Sequence, residues 1–212
     1  MDIRQMLLKY EGQPITHQLL ISLLKSYNRP NDKIKALKND GVLESLKRGV
    51  YIPGRTTNIL RPEPGLVANH LYGPSYVSMD SALAYYSLIP ERVYGLTSMT
   101  TKPSKEFKTA IGLYTYTHLP LPYYAFGLRI VKLNKDQQAI IASPEKALVD
   151  KVVTTSGILL RSMSSARDYV IENLRMEESE LKSFDTQMMS TWLANAPKRE
   201  SLEILIKMIE KL

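Results

Sequence analysis

Apolar residues recur at helical spacing over the first forty residues, and then the period shortens. Ile3, Met6, Leu7 and Tyr10 lie three or four apart and predict a helix over Asp2–Tyr10. Asp2 is placed to cap its start, and Gly12 with Pro14 ends it. Leu19, Leu20, Leu23, Leu24 and Tyr27 form a second stripe, which predicts a helix from about Thr16 to Ser26 with one face toward a core. After a turn over Tyr27–Pro30, Asn28 is a candidate cap and Pro30 suits the first turn of a third helix. In that helix only Ile34 and Leu37 point inward, and Gly41 is a natural terminator. At about 100° per residue the opposite face carries Asp32, Lys35, Ala36 and Asn39, flanked by Arg29 and Lys33. Val42–Leu46 and Gly49–Ile52 then read as strands, joined by the tight turn Lys47-Arg48-Gly49.

The breakers Pro53, Gly54, Pro62, Pro64 and Gly65 mark a connector, with a domain boundary near residue 60. Beyond it, Leu66–Tyr72 suits a short helix, and Ser78 caps another that carries Met79, Leu83 and Tyr86 and stops by Pro90. Val93–Thr100, Lys108–Tyr116, Gly127–Leu133 and Gln138–Ala142 read as strands. Ser143-Pro144-Glu145 opens a helix with a cap, a first-turn proline and an acid near the positive end. From Arg161 the pattern is helical, ending in an amphipathic stretch with Leu202, Leu205, Ile206 and Ile209. These apolar stripes suit a core; one such helix docking a partner groove is the other reading. The expected fold class is α+β: a winged helix-turn-helix over 1–58, then a mixed α/β domain over 59–212 with a helical C-terminal part.

Composition narrows the setting. A chain of 212 residues with 44% hydrophobic and 23% charged residues is ordinary for globular domains. No apolar run approaches the ~20 residues that span a bilayer, and MDIRQMLLKYEG does not suit a signal peptide. With no cysteine, disulfides, thiolate chemistry and Cys-ligated zinc are excluded. The expectation is a soluble cytoplasmic protein with no membrane partner.

Charge changes the picture more. The net charge is +7, and residues 1–55 hold ten Lys+Arg against five Asp+Glu. A cationic helix–hairpin unit attracts polyanions. A short helix with a narrow buried stripe and a hydrogen-bonding outer face suits a DNA major groove. In this reading the partner is double-stranded DNA. Arg29, Asn31, Lys33 and Ala36 face bases, and Lys25, Lys35, Lys47 and Arg48 hold phosphates. Asp32 either accepts a hydrogen bond from cytosine or complements the helix dipole. Operators with inverted halves would suit two copies bound together.

Other chemistry is sparse. His17, His70 and His118 lack metal-ligand spacing, and no phosphate loop or nucleophile elbow is present. No cofactor, metal or catalytic residue is expected. The alternative is a metal-dependent nuclease built on Glu145 and Asp150 beside Lys146. Residues five apart on a helix point about 140° from each other, so capping and surface pairing explain these residues more simply. Tyr114, Tyr116, Tyr123 and Tyr124 either stack single-stranded bases or pack a half-buried sheet.

The run DGVLESLKRGVYIP resembles the winged-helix end of AbiEi-type antitoxins of bacterial abortive-infection toxin–antitoxin systems. YGPSYVSMDSALAYYSLIPE, TSMTTKPSKEFKTAIGLYTYTHL and ASPEKALVDKV are similar to segments met in that order in the same family. The likeness covers roughly residues 1–155; the later helical tail does not match. It implies an N-terminal module that binds operator DNA, a C-terminal domain that antagonises the toxin, autorepression of the operon, and a nucleotidyltransferase-like toxin as partner.

Overall fold

The computed structural model describes residues 3–212, so the Asp2 cap lies outside the described residues. The chain is mixed α+β, and among the described residues its strands form two sheets. The N-terminal unit comprises α1 (Ile3–Leu8), β1 (Ile15–Thr16), α2 (His17–Leu23), α3 (Pro30–Asn39), β2 (Leu43–Lys47) and β3 (Val50–Pro53). Its antiparallel sheet has the order β1-β3-β2, with a bulge between Ser45 and Lys47. Thr16 caps α2 by accepting from the Leu19 amide at 3.2 Å. The residue before α3 is Arg29 rather than Asn28; Pro30 takes the first helical position, where its missing N–H costs nothing. Gly41 has φ +69°, the left-handed conformation that ends a helix.

Ile3, Leu7, Ile15, Leu20, Leu24, Ile34, Leu37, Leu43 and Tyr51 form one apolar cluster. Leu46 and Ile52 belong instead to the larger core. The small sheet thus lies between the N-terminal helices on one face and the rest of the protein on the other, as strand alternation requires when both faces are covered.

The larger unit begins with α4 (Pro64–Leu71), β4 (Ser75–Val77), α5 (Met79–Tyr85) and β5 (Gly95–Thr100). β6 (Lys105–Thr109), β7 (Gly112–His118), β8 (Leu128–Lys132), β9 (Gln138–Ala142) and α6 (Pro144–Thr154) follow. The sheet order is β6-β7-β5-β4-β9-β8, with β4–β9 and β5–β7 parallel. β6 and β7 are a hairpin where the sequence reads one strand over 108–116. Tyr114 and Tyr116 are buried within β7, as sheet packing requires, and Tyr123 and Tyr124 are buried in the 3-10 turn Tyr123–Ala125, so all four rings are withdrawn from base stacking. The tail forms α7 (Met163–Arg167), α8 (Glu178–Leu181), α9 (Thr186–Trp192) and α10 (Arg199–Ile209); α10 buries Leu202, Leu205, Ile206 and Ile209 as its stripe requires. Among the described residues no helix is long and apolar enough to cross a membrane.

Candidate nucleic-acid interface

Helix α3 is anchored by two large side chains. Ile34 and Leu37 are its buried residues, 4% and 3% exposed. Arg29, Asn31, Asp32, Lys35, Ala36 and Asn39 are exposed, so the face opposite the anchors is open along the helix. Lys38 is exposed as well and lies one turn beyond Lys35, where residues three apart are neighbours. It escaped the sequence reading because it lies off the stripe opposite the anchors. Lys25 is exposed just past the end of α2.

Two local contacts bear on the side chains expected to face bases. Arg29 Nη1 lies 3.9 Å from Asp32 Oδ2, and both side chains are largely exposed. Such a pair contributes little and breaks at small cost, so Asp32 holds the guanidinium without removing it from solvent. Lys33 is half-buried, with Nζ 5.5 Å from the Tyr27 ring. Lys33 therefore stands on the flank facing the turn between α2 and α3 rather than on the open face.

The hairpin turn divides its two cations. Arg48 is exposed, next to Gly49 at φ +83°, a tight turn that a side chain would strain. Lys47 does not extend from the tip. The bulge beside it swings its side chain toward the larger unit, where Nζ donates to the Leu71 carbonyl at the end of α4 and lies 5.8 Å from the Phe107 ring. The sequence reading sets both cations at the tip of the turn; the structure keeps only Arg48 exposed there and turns the Lys47 amine toward the larger unit.

The carboxylates of the nuclease alternative have other tasks, and they are not surface pairs. Lys146 and Asp150 are both 0% exposed, with Nζ 2.8 Å from Oδ1. Asp150 Oδ2 accepts from Tyr76 Oη at 2.9 Å and from Ser78 Oγ at 2.7 Å. Lys146 Nζ donates to the Tyr123 carbonyl at 3.1 Å and lies 3.4 Å from the centre of that ring. Burial lowers the Lys146 pKa, and Asp150 opposes the shift. Burial and then Asp150 raise the Tyr76 and Tyr123 hydroxyls well above the tyrosine range. Glu145 is buried too, with Oε2 3.8 Å from Arg129 Nη2. Among the described residues no group of three acidic or histidine side chains is arranged to hold a metal ion. The network fastens α6 to β4 and to the 3-10 turn Tyr123–Ala125.

No protein-family model and no curated protein sequence matches this chain.

Proposed function

We propose that the N-terminal unit is a winged helix-turn-helix that binds operator DNA, and that the protein is an autorepressor and antitoxin of a toxin–antitoxin operon. The observation that carries the DNA-binding part is α3: two buried anchors beneath an open face bearing Arg29, Asn31, Lys35 and Ala36, with Arg48 exposed at the β2–β3 turn. Helix α3 enters the major groove, and Arg48 meets the flanking phosphates or minor groove. The concentration of positive charge before residue 56 supports the same reading. The antitoxin role rests on the likeness of the four ordered segments to AbiEi-type antitoxins, with residues 59–212 opposing a nucleotidyltransferase-like toxin. Operators with inverted halves would be held by two copies.

A mobility-shift titration on the chain's own upstream region tests the DNA-binding part. Retention of that fragment over a scrambled duplex of equal length is expected; equal retention of both refutes operator recognition. Co-expression with the adjacent reading frame tests the antitoxin part. Relief of growth arrest supports it, and unrelieved arrest refutes it.

A further inference from the structure

Lysine ammoniums gather where the β2–β3 hairpin meets the edge strand β6. At the centre are the Tyr72 and Phe107 rings, 5.5 Å apart. Lys105 Nζ lies 5.1 Å from the Phe107 ring and 5.9 Å from Tyr72. Lys102 Nζ lies 5.3 Å from Tyr72, and Lys47 Nζ 5.8 Å from Phe107. Two of the amines are held from behind, Lys47 by the Leu71 carbonyl and Lys102 by the Gly73 carbonyl. Lys105 is exposed and, among the described residues, its amine makes no hydrogen bond.

No carboxylate among the described residues lies within 4.0 Å of any of the three amines. Glu106 is next in sequence to Lys105, but strand alternation puts it on the other face of β6, where it lies 4.0 Å from Lys108. The cluster is therefore uncompensated. Burial, followed by the charges of Lys102 and Lys105, lowers the Lys47 pKa. Ring faces and carbonyls fix the positions of like charges that would otherwise separate. The complement of such an arrangement is a phosphate, whose oxygens accept several charge-assisted hydrogen bonds at once. Lys47 is followed directly by the exposed Arg48, so the cluster lies beside the hairpin turn.

We propose that Lys47, Lys102 and Lys105 form a phosphate site on the larger unit that takes the backbone of duplex DNA beyond the segment held by α3 and Arg48. The proposal rests on the DNA-binding reading above. The larger unit then adds phosphate contacts, and these contacts lengthen the footprint without reading sequence.

The test uses the full chain, fluorescence anisotropy, and two labelled duplexes: one trimmed to the footprinted core and one extended on both sides. Lys105→Ala is expected to lower the slope of log K against log salt by about 0.9 on the extended duplex, and Lys102→Ala/Lys105→Ala by about twice that. Both variants should leave the trimmed duplex unaffected, and Lys105→Arg should retain the wild-type slope. Lys105 is exposed and its amine has only the two ring contacts, so Lys105→Ala should keep the melting temperature close to wild type and keep the reading clear of unfolding. Unchanged slopes on the extended duplex, with Lys35→Ala still lowering them, would overturn this site and leave the DNA-binding reading intact. Equal loss on both duplexes would overturn the flanking assignment. A wild-type chain that binds neither duplex would overturn both.

Discussion

Replacing Asp150 with asparagine takes the charge from the centre of the buried network while keeping its shape. The Lys146 ammonium, 0% exposed, then has the Tyr123 carbonyl and ring but no counter-ion. Removing one partner of a buried pair costs about 3–5 kcal/mol. The asparagine oxygen can still accept from Tyr76 or Ser78, which places Asp150→Asn near the lower end. In a chain of this size each kcal/mol shifts the melting temperature by about 2–4 °C, so a fall of roughly 6–12 °C is expected in a calorimetric or circular-dichroism melt. Lys146→Met in the Asp150→Asn background removes the stranded charge. The double variant should therefore be more stable than the sum of the single losses, by about 1–3 kcal/mol of coupling. An Asp150→Asn protein that melts within about 1 °C of wild type, or strictly additive losses, would refute a buried, coupled pair.

Arg29→Ala should weaken the preferred operator by about 1–3 kcal/mol while sparing a scrambled duplex, if the guanidinium reads guanine; competition titrations measure the difference. Incubation of labelled duplex with magnesium or manganese should leave it intact, and Glu145→Ala should change nothing; cleavage lost in that variant would revive the nuclease alternative. Alkaline stability follows from the tyrosines: burial pushes Tyr114, Tyr124 and Tyr169 up to about 12 and raises Tyr76, Tyr116 and Tyr123 as well. Folded values above the ordinary tyrosine value of about 10 mean that this stabilisation is whole below pH ~10 and is lost as pH rises toward ~12. Phenolate absorbance from these six should therefore appear together with unfolding rather than before it.

The parts of the fold legible in the sequence are those set by local pattern. The α3 stripe, the β2–β3 turn and the Ser143-Pro144 start of α6 depend on residues a few positions apart; Ser143 indeed accepts from the Lys146 amide at 3.2 Å. Strands β1 and β4 escaped because each is two or three residues long and exists only through distant partners, Tyr51 and Val50 for β1 and Thr100, Met99, Ser98 and Ile141 for β4. The β6–β7 turn at Ala110-Ile111 has no proline or asparagine; its signal is Gly112 at φ +144°, read instead as an interior strand residue. Charge misled at two places in the candidate sites. Lys146 and Asp150 stand four apart, the spacing of a solvated pair, yet α6 is covered on nearly all sides. Lys47 sits beside Arg48 at a turn, and only the bulge and the neighbouring end of α4 show that its amine points toward the larger unit.

The proposed DNA binding depends most on the open face of α3 and on Arg48. The most direct test is the salt dependence of binding to a selected operator by wild type and by Lys35→Ala/Arg48→Ala, both checked for an unchanged melt. The expected result is a slope shallower by about 1.8 for the double variant, one counter-ion release of about 0.9 for each lost phosphate contact. Identical slopes and affinities for the two proteins would contradict it.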